Sequence, residues 1–177
     1  MKILHISDTH GRHASMKGMP DADVIIHSGD ISENGTEEEV ISFIEWFESL
    51  DYKYKVFVAG NHDTCLFGSR IDGLKDDTFY LDDDIIEIER IKIFGTCIGN
   101  YDKIPEGTDI LVTHYPPLGI LDGGGLYGDR ILLDNVFRVN PKFHLFGHVH
   151  ESSGIEVIDN VTFSNASNMD VYHLFEI

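Results

Sequence analysis

Lys55-Val56-Phe57-Val58-Ala59-Gly60-Asn61-His62-Asp63 is the stretch that decides how this chain is read. A mostly apolar run stopped by glycine predicts a short buried strand. Just past the stop stand an amide oxygen at Asn61, an imidazole at His62 and a carboxylate at Asp63. These side chains suit metal binding, proton transfer and the orientation of a histidine. One such strand end would mean little, but two earlier strands and two later ones also run out into Asp or His.

Toward the amino terminus, Ile3-Leu4-His5-Ile6 ends in Ser7-Asp8-Thr9-His10-Gly11. Strand geometry continued for a residue would set the Asp8 and His10 side chains on one side, and a carboxylate beside an imidazole suits a borderline divalent metal. Asp23-Val24-Ile25-Ile26-His27 ends in Ser28-Gly29-Asp30, with Glu33 shortly after. Toward the carboxyl terminus, the strand Asp109–Thr113 runs into His114-Tyr115-Pro116-Pro117, where the prolines stop it. Phe143-His144-Leu145-Phe146 runs into Gly147-His148-Val149-His150, two histidines at i and i+2. In an α/β sheet, sites collect outside the carboxyl ends of the strands. His5, His27, His144 and His173 lie inside apolar runs and are expected in the core. Arg12, close behind His10, is placed to reach a phosphate oxygen, and Gly123-Gly124-Gly125 and the loop 64–78 are further candidates for substrate contact.

The remaining chain supplies the scaffold. Thr36-Glu37-Glu38-Glu39 is a capping box opening a helix that runs to about Leu50. Val40, Ile41, Ile44 and Phe47, with Trp46, form its expected apolar face. A second helix is predicted from Asp129 to about Asn140, with Ile131, Leu132, Val136 and Val139 inward. Phe79–Leu81, Ile85–Glu89, Ile91–Gly95 and Val171–Ile177 read as strands. Tight turns are expected at Glu89-Arg90 and at Asp159-Asn160, the latter inside a hairpin. Asp82-Asp83-Asp84 lacks the spacing and glycine of a calcium loop and reads as a solvated turn.

At 177 residues the chain has the length of one domain. Its formal charge is −18, with 31 acidic against 13 basic residues, which argues against a long nucleic-acid track and against anionic membrane surfaces. No stretch approaches a membrane span, and Met1-Lys2 leads straight into a strand rather than a signal peptide. Cys65 and Cys97 sit in no CxxC pair, and free thiols in a cytoplasmic protein are expected. Nothing in the sequence fixes an oligomeric state.

Taken in order, Asp8-x-His10, Gly29-Asp30-x-x-Glu33, Gly60-Asn61-His62-Asp63, His114 and Gly147-His148-x-His150 resemble the calcineurin-like metallophosphoesterase superfamily. The resemblance runs from residue 3 to about residue 167. It implies an α/β fold of two packed mixed β-sheets flanked by helices, one domain over 1–177, with a dinuclear metal site at strand-end loops. It also implies that Asp8, His10 and His150 bind one metal, that Asn61, His114 and His148 bind the other, and that Asp30 bridges them. His62 would face the substrate, with Asp63 behind it holding its tautomer. Nitrogen and oxygen donors of this mix accept Mn, Fe, Zn, Co or Ni, and Mn is the ion expected to serve in vitro. Two divalent ions, two carboxylates and one hydroxide would leave the pocket at about +1 inside a strongly acidic protein, which favours a compact phosphate.

A narrower resemblance, to the small metallophosphoesterase-domain-containing subfamily, is carried by Gly29–Gly35, Tyr52–Lys55, Thr113–Gly119, Pro141–His144 and Asn165-Ala166-Ser167. Asp63 stands where Glu is common there. That resemblance implies a phosphodiesterase hydrolysing a small phosphodiester such as a cyclic nucleotide; the expected chemistry is in-line attack of a metal-bridging hydroxide, with His62 protonating the leaving oxygen or stabilising its charge. The alternatives are a phosphomonoesterase, including a protein phosphatase, and a non-catalytic binding scaffold on the same fold.

Overall fold

The computed structural model describes residues 1–97, 99 and 101–177. One sheet contains β1 (Lys2–Ile6), β2 (Val24–His27), β3 (Tyr54–Phe57), β4 (Thr78–Tyr80) and β11 (His173–Glu176), in the order β11-β1-β2-β3-β4. The other contains β5 (Asp84–Ile88), β6 (Ile91–Thr96), β7 (Ile110–Thr113), β8 (Phe143–Phe146), β9 (Gly154–Ile158) and β10 (Val161–Asn165), in the order β5-β6-β7-β8-β10-β9. Both are mixed. β1 to β4 run parallel with β11 antiparallel at one edge, and β6, β7, β8 and β10 run parallel between antiparallel β5 and β9. The two expected tight turns close the antiparallel hairpins: Glu89 and Arg90, like Asp159 and Asn160, have positive φ at both central positions, the twist a two-residue hairpin requires.

Period-2 alternation splits each central strand between two cores. Ile3, Val24, Ile26, Val56, Ile110, Val112 and Leu145 face inward and pack the two sheets together. Leu4, Ile25 and Phe57 face out, against Phe43 and Phe47 of α1 (Glu37–Ser49). Leu111, Phe146 and Phe163 face the opposite way, against Leu132 and Val136 of α2 (Arg130–Val139). The architecture is therefore a sandwich of two mixed sheets, each covered by a helix. Gly95 lets the sheets meet closely, because a Cβ there would stand 2.9 Å from Val58 Cγ1 and clash with Leu81 as well.

The Thr36 capping box forms, with the Glu39 side chain reaching back to the Thr36 N–H. Asp129 caps α2 through the Leu132 N–H at 2.8 Å. Two inward assignments do not hold: Ile41 is 56% exposed and Ile131 is 53% exposed. Each lies about 100° round the helix from a buried neighbour, Val40 or Leu132, and the covered face is too narrow to include both. Phe43, absent from the expected face, is fully buried. His5, His27, His144 and His173 are in the core as expected. The loops after β1, β2 and β3 of one sheet and after β7 and β8 of the other leave the carboxyl ends of parallel strands.

Candidate metal centre

Backbone hydrogen bonds tie the β1 loop to the β2 loop and the β7 loop to the β8 loop. Asp8 N–H donates to Gly29 O and His10 N–H to Asp30 O, both at 2.9 Å, and Gly147 N–H donates to His114 O at 3.0 Å. The expected continuation of strand geometry past Ser7 does not occur. Asp8 has φ +54° and His10 has φ +44°. Two left-handed residues, not a pleat, turn both side chains into the centre. Asp30 (φ +56°) and His148 (φ +70°) share this conformation. A non-glycine residue in that region carries strain, and such residues concentrate at functional sites.

Three glycines leave the space in which the carboxylates and an imidazole sit. A Cβ on Gly60 would overlap the Asp30 carboxylate and backbone nitrogen, and one on Gly147 would overlap the Asp8 carboxylate and the Ser7 hydroxyl. One on Gly29, itself at φ +101°, would stand 2.6 Å from His114 Nδ1. These are the motif glycines before Asp30, Asn61 and His148.

The side chains converge as two groups with Asp30 between them. Asp8, His10 and His150 offer donor atoms within 4.8 Å of one another, as do Asp30, His114 and His148. Asp30 Oδ2 lies 3.7 Å from His10 Nε2 and 3.3 Å from His114 Nε2. Asn61 Oδ1 lies 3.0 Å from His114 Nε2. A third combination, His10, Asp30 and His62, also falls within 4.8 Å. All seven residues expected to hold metal are thus brought together, and His62 stands beside His10 with ring centroids 4.7 Å apart.

The donor set fits a pair of cations. His114 Nδ1–H donates to the Ser28 carbonyl at 2.9 Å, so the Nε2 of a neutral ring presents a lone pair. That lone pair faces two oxygen acceptors, Asn61 Oδ1 and Asp30 Oδ2. A turned Asn61 amide would donate to the ring, but the Asp30 carboxylate has nothing to donate, so a proton or a metal ion is needed between Asp30 and His114. The other group repeats the pattern: His10 Nε2 and His150 Nε2 are 3.4 Å apart, and His150 Nε2 is 3.2 Å from Asp8 Oδ1.

With the protein's own groups alone, protons take that role. Burial would lower the His114 pKa, but its hydrogen bond to Asp30 and the charges of Asp30 and Asp8 push it up to about 9. His150 is raised by its hydrogen bond to Asp8. Burial disfavours the Asp8 anion, yet His150, His114, Ser7 and the His148 N–H hold its carboxyl well below the usual range. Asp30 is likewise lowered against its burial, chiefly by His114. His148 moves down, through burial and the neighbouring His114 charge.

His62 and Asp63 are arranged differently from expectation. His62 Nδ1 donates to the Glu33 carbonyl at 2.8 Å, which raises the His62 pKa. The fully buried Asp63 carboxylate accepts from the N–H groups of Gly60, Ile31 and Ser32 and from the Ser32 hydroxyl. Burial raises the Asp63 pKa in spite of these bonds. Asp63 therefore knits the β2 and β3 loops together, and a backbone carbonyl takes the orienting role assigned to it.

Arg12 and His150 line a cavity of about 370 Å³ with Ser15, Ser167, Asn168, Met169 and Asp170. His150 also lines a second cavity, of about 380 Å³, with Tyr127, His148, Val149 and Glu151. The loop 64–78 instead contributes to a separate cavity of about 630 Å³, whose walls include none of the clustered residues. Sequence reasoning missed Glu33 as a partner of His62, and it missed Tyr127. The signal for Tyr127 was an apolar pair, Leu126-Tyr127, directly after three glycines.

A family model described as calcineurin-like phosphoesterase matches residues 1–152. The chain is 34% identical over 202 residues to a UPF0046 protein of Caenorhabditis elegans, covering 94% of this chain and 69% of that one. It is 34% identical over 214 residues to human metallophosphoesterase domain-containing protein 1, covering 94% of this chain and 65% of that one. The chain thus spans about two thirds of the length of these relatives. Among solved structures, a protein described as a novel archaeal phosphodiesterase superposes with a TM-score of 0.54 at 20% identity, over 93% of this chain and 82% of that one.

Proposed function

The chain belongs to the calcineurin-like phosphoesterase family, and from that premise we propose that it is a metal-dependent phosphodiesterase acting on a small phosphodiester, with a cyclic nucleotide the first substrate to try. Asp8, His10 and His150 would hold one divalent ion, Asn61, His114 and His148 the other, and Asp30 both. When bound, the ions supply Lewis acidity toward phosphoryl oxygens and a nucleophile drawn from water near neutral pH. The protein's own residues do the rest. His62, its Nδ1–H held by Glu33 O and its pKa raised by that bond, carries a second proton on Nε2 in its imidazolium form and gives it to the leaving oxygen, returning to the neutral ring. Arg12, which makes no ion pair among the described residues, brings positive charge to the Arg12 cavity for a non-bridging oxygen.

The observation that carries the diester reading is that His150 borders two separate cavities. A phosphate at the centre then has room for a substituent on either side, and a monoester would use one. The archaeal neighbour's description as a phosphodiesterase agrees. The free thiols of Cys65 and Cys97 support a cytoplasmic setting. Among the described residues no helix is long and apolar enough to cross a membrane. The test is a paired assay on chelator-treated protein re-supplied with Mn²⁺, an aryl phosphodiester against the matching monoester. Chelator-sensitive preference for the diester supports the reading. Preference for the monoester replaces it with a phosphatase, and no turnover of either with metal bound replaces it with a scaffold.

A further inference from the structure

Tyr127 is 50% exposed and its neighbour Leu126 77% exposed, beside a polar centre. Ligand sites are commonly lined by aromatic side chains beside a few placed polar groups, and this ring stands next to such polar groups. The Tyr127 ring borders two open volumes, the 380 Å³ cavity that reaches His148 and His150 and another of about 300 Å³ lined by Tyr101 and Tyr115. His148 lies between two tyrosines, its ring centroid 4.4 Å from that of Tyr115 and 5.9 Å from that of Tyr127.

The seat of this ring is built rather than incidental. Gly123, at φ +76°, lies against it: a Cβ there would stand 3.0 Å from Tyr127 Cδ2 and 3.3 Å from Cε2. The Tyr127 N–H donates to the Asp122 carbonyl at 3.1 Å. The buried Asp122 carboxylate accepts from the N–H groups of Gly119 and Gly125. The three-glycine loop is thus wound around one carboxylate and presents a half-exposed aromatic ring toward the clustered histidines.

We propose that Tyr127, with Tyr115 behind His148, is an aromatic platform that stacks an aromatic substituent of the phosphoester, so that the substrate is a nucleoside or aryl phosphoester rather than an alkyl or sugar one. This deepens the phosphodiesterase reading and rests on it for the phosphate at the centre. An aromatic ring accepts any flat π face, which makes the recognition one of class. The tyrosine hydroxyl is not required; the ring is.

The test measures binding, so it does not depend on turnover. Calorimetric titration of the Mn²⁺-loaded chain with adenosine 5′-monophosphate, phenyl phosphate and ribose 5-phosphate compares one phosphate with and without an aromatic group. The wild type is expected to bind the adenosine compound about tenfold more tightly than ribose 5-phosphate. Tyr127→Ala should remove that advantage and leave ribose 5-phosphate unchanged, while Tyr127→Phe keeps it. A gain shared by phenyl phosphate assigns a general aromatic site, and a gain confined to the adenosine compound assigns a nucleobase site. Equal binding by the wild type, equal loss of all three ligands in Tyr127→Ala, loss in Tyr127→Phe, or no binding at all would overturn the proposal. Absent turnover with the tenfold ratio intact would sink the phosphodiesterase reading and leave the platform standing.

Discussion

The Nδ1–H of His62 donates to the backbone carbonyl of Glu33 at 2.8 Å, while the Asp63 carboxylate beside it in sequence serves the backbone of the β2 and β3 loops. The two residues should therefore fail differently. His62→Ala is expected to cut turnover by about 10²–10⁴-fold, with bound metal and melting temperature unchanged. Unchanged turnover would remove His62 from the reaction.

Asp63→Ala strips a buried acceptor from three backbone N–H groups and the Ser32 hydroxyl. Unsatisfied buried donors cost about 1–3 kcal/mol each before relaxation, so a net loss of roughly 3 kcal/mol is expected. For a chain of this size that lowers the melting temperature by roughly 6–12 °C. Calorimetry checks it; an unshifted melt accompanied by lost turnover would return Asp63 to the role of orienting His62.

The contrast marks how far the sequence could be read. The order of strand ends and the residue types at Asp8, Asp30, His114, His148 and His150 were legible, because carboxylates and imidazoles recur at five strand ends of one chain. What aimed them was not: the positive φ of Asp8 and His10 is set by the Asp8–Gly29 and His10–Asp30 backbone bonds, which no side chain announces. Glu33 orients His62 through its carbonyl, a group every residue carries. Ile41 and Ile131 fit the helical period, yet the width of the covered face depends on the facing sheet. Tyr127 belonged to no period at all.

Asp30 stands between the two groups, 3.7 Å from His10 Nε2 and 3.3 Å from His114 Nε2. If it serves both ions, Asp30→Asn should lower metal content at both positions, whereas Asn61→Ala should weaken one and spare the other. Metal-to-protein ratios from plasma mass spectrometry after dialysis distinguish these. Equal losses in both variants would contradict a shared carboxylate.

Gly60 tests the cradle without touching a donor atom. Its substitution by alanine forces a methyl group onto the Asp30 carboxylate and backbone nitrogen, with rigid backbone on one side. Gly60→Ala should lose metal as Asp30→Asn does. Gly68→Ala, where a Cβ meets nothing within 4 Å but φ is +66°, should cost some stability and no metal. Full metal occupancy in Gly60→Ala would show that the β2 and β3 loops can part.

Acid should destabilise the fold through buried histidines that are not among the expected metal ligands. Burial lowers His27 and His144 to about 3 in the folded chain, against about 6.5 unfolded. Thr113 donates its one hydroxyl proton to the Tyr115 carbonyl at 2.7 Å, so its oxygen accepts from His144 Nε2–H, and His144 Nδ1 has no partner among the described residues. Between about pH 3 and 6.5 the unfolded chain binds more protons than the folded one, so stability rises with pH by about 1.4 kcal/mol per unit for each such group. The contribution is complete above about pH 6.5 and is lost as pH falls from there toward 3. Denaturant midpoints on chelator-treated protein should fall accordingly from pH 6.5 to 5, below the range in which His114, raised to about 9, takes up its proton on folding. His144→Phe, packed against Phe146 and Phe163 as the imidazole is, should flatten the slope by about one proton. An unaltered slope in that variant would mean that His144 titrates normally despite its burial.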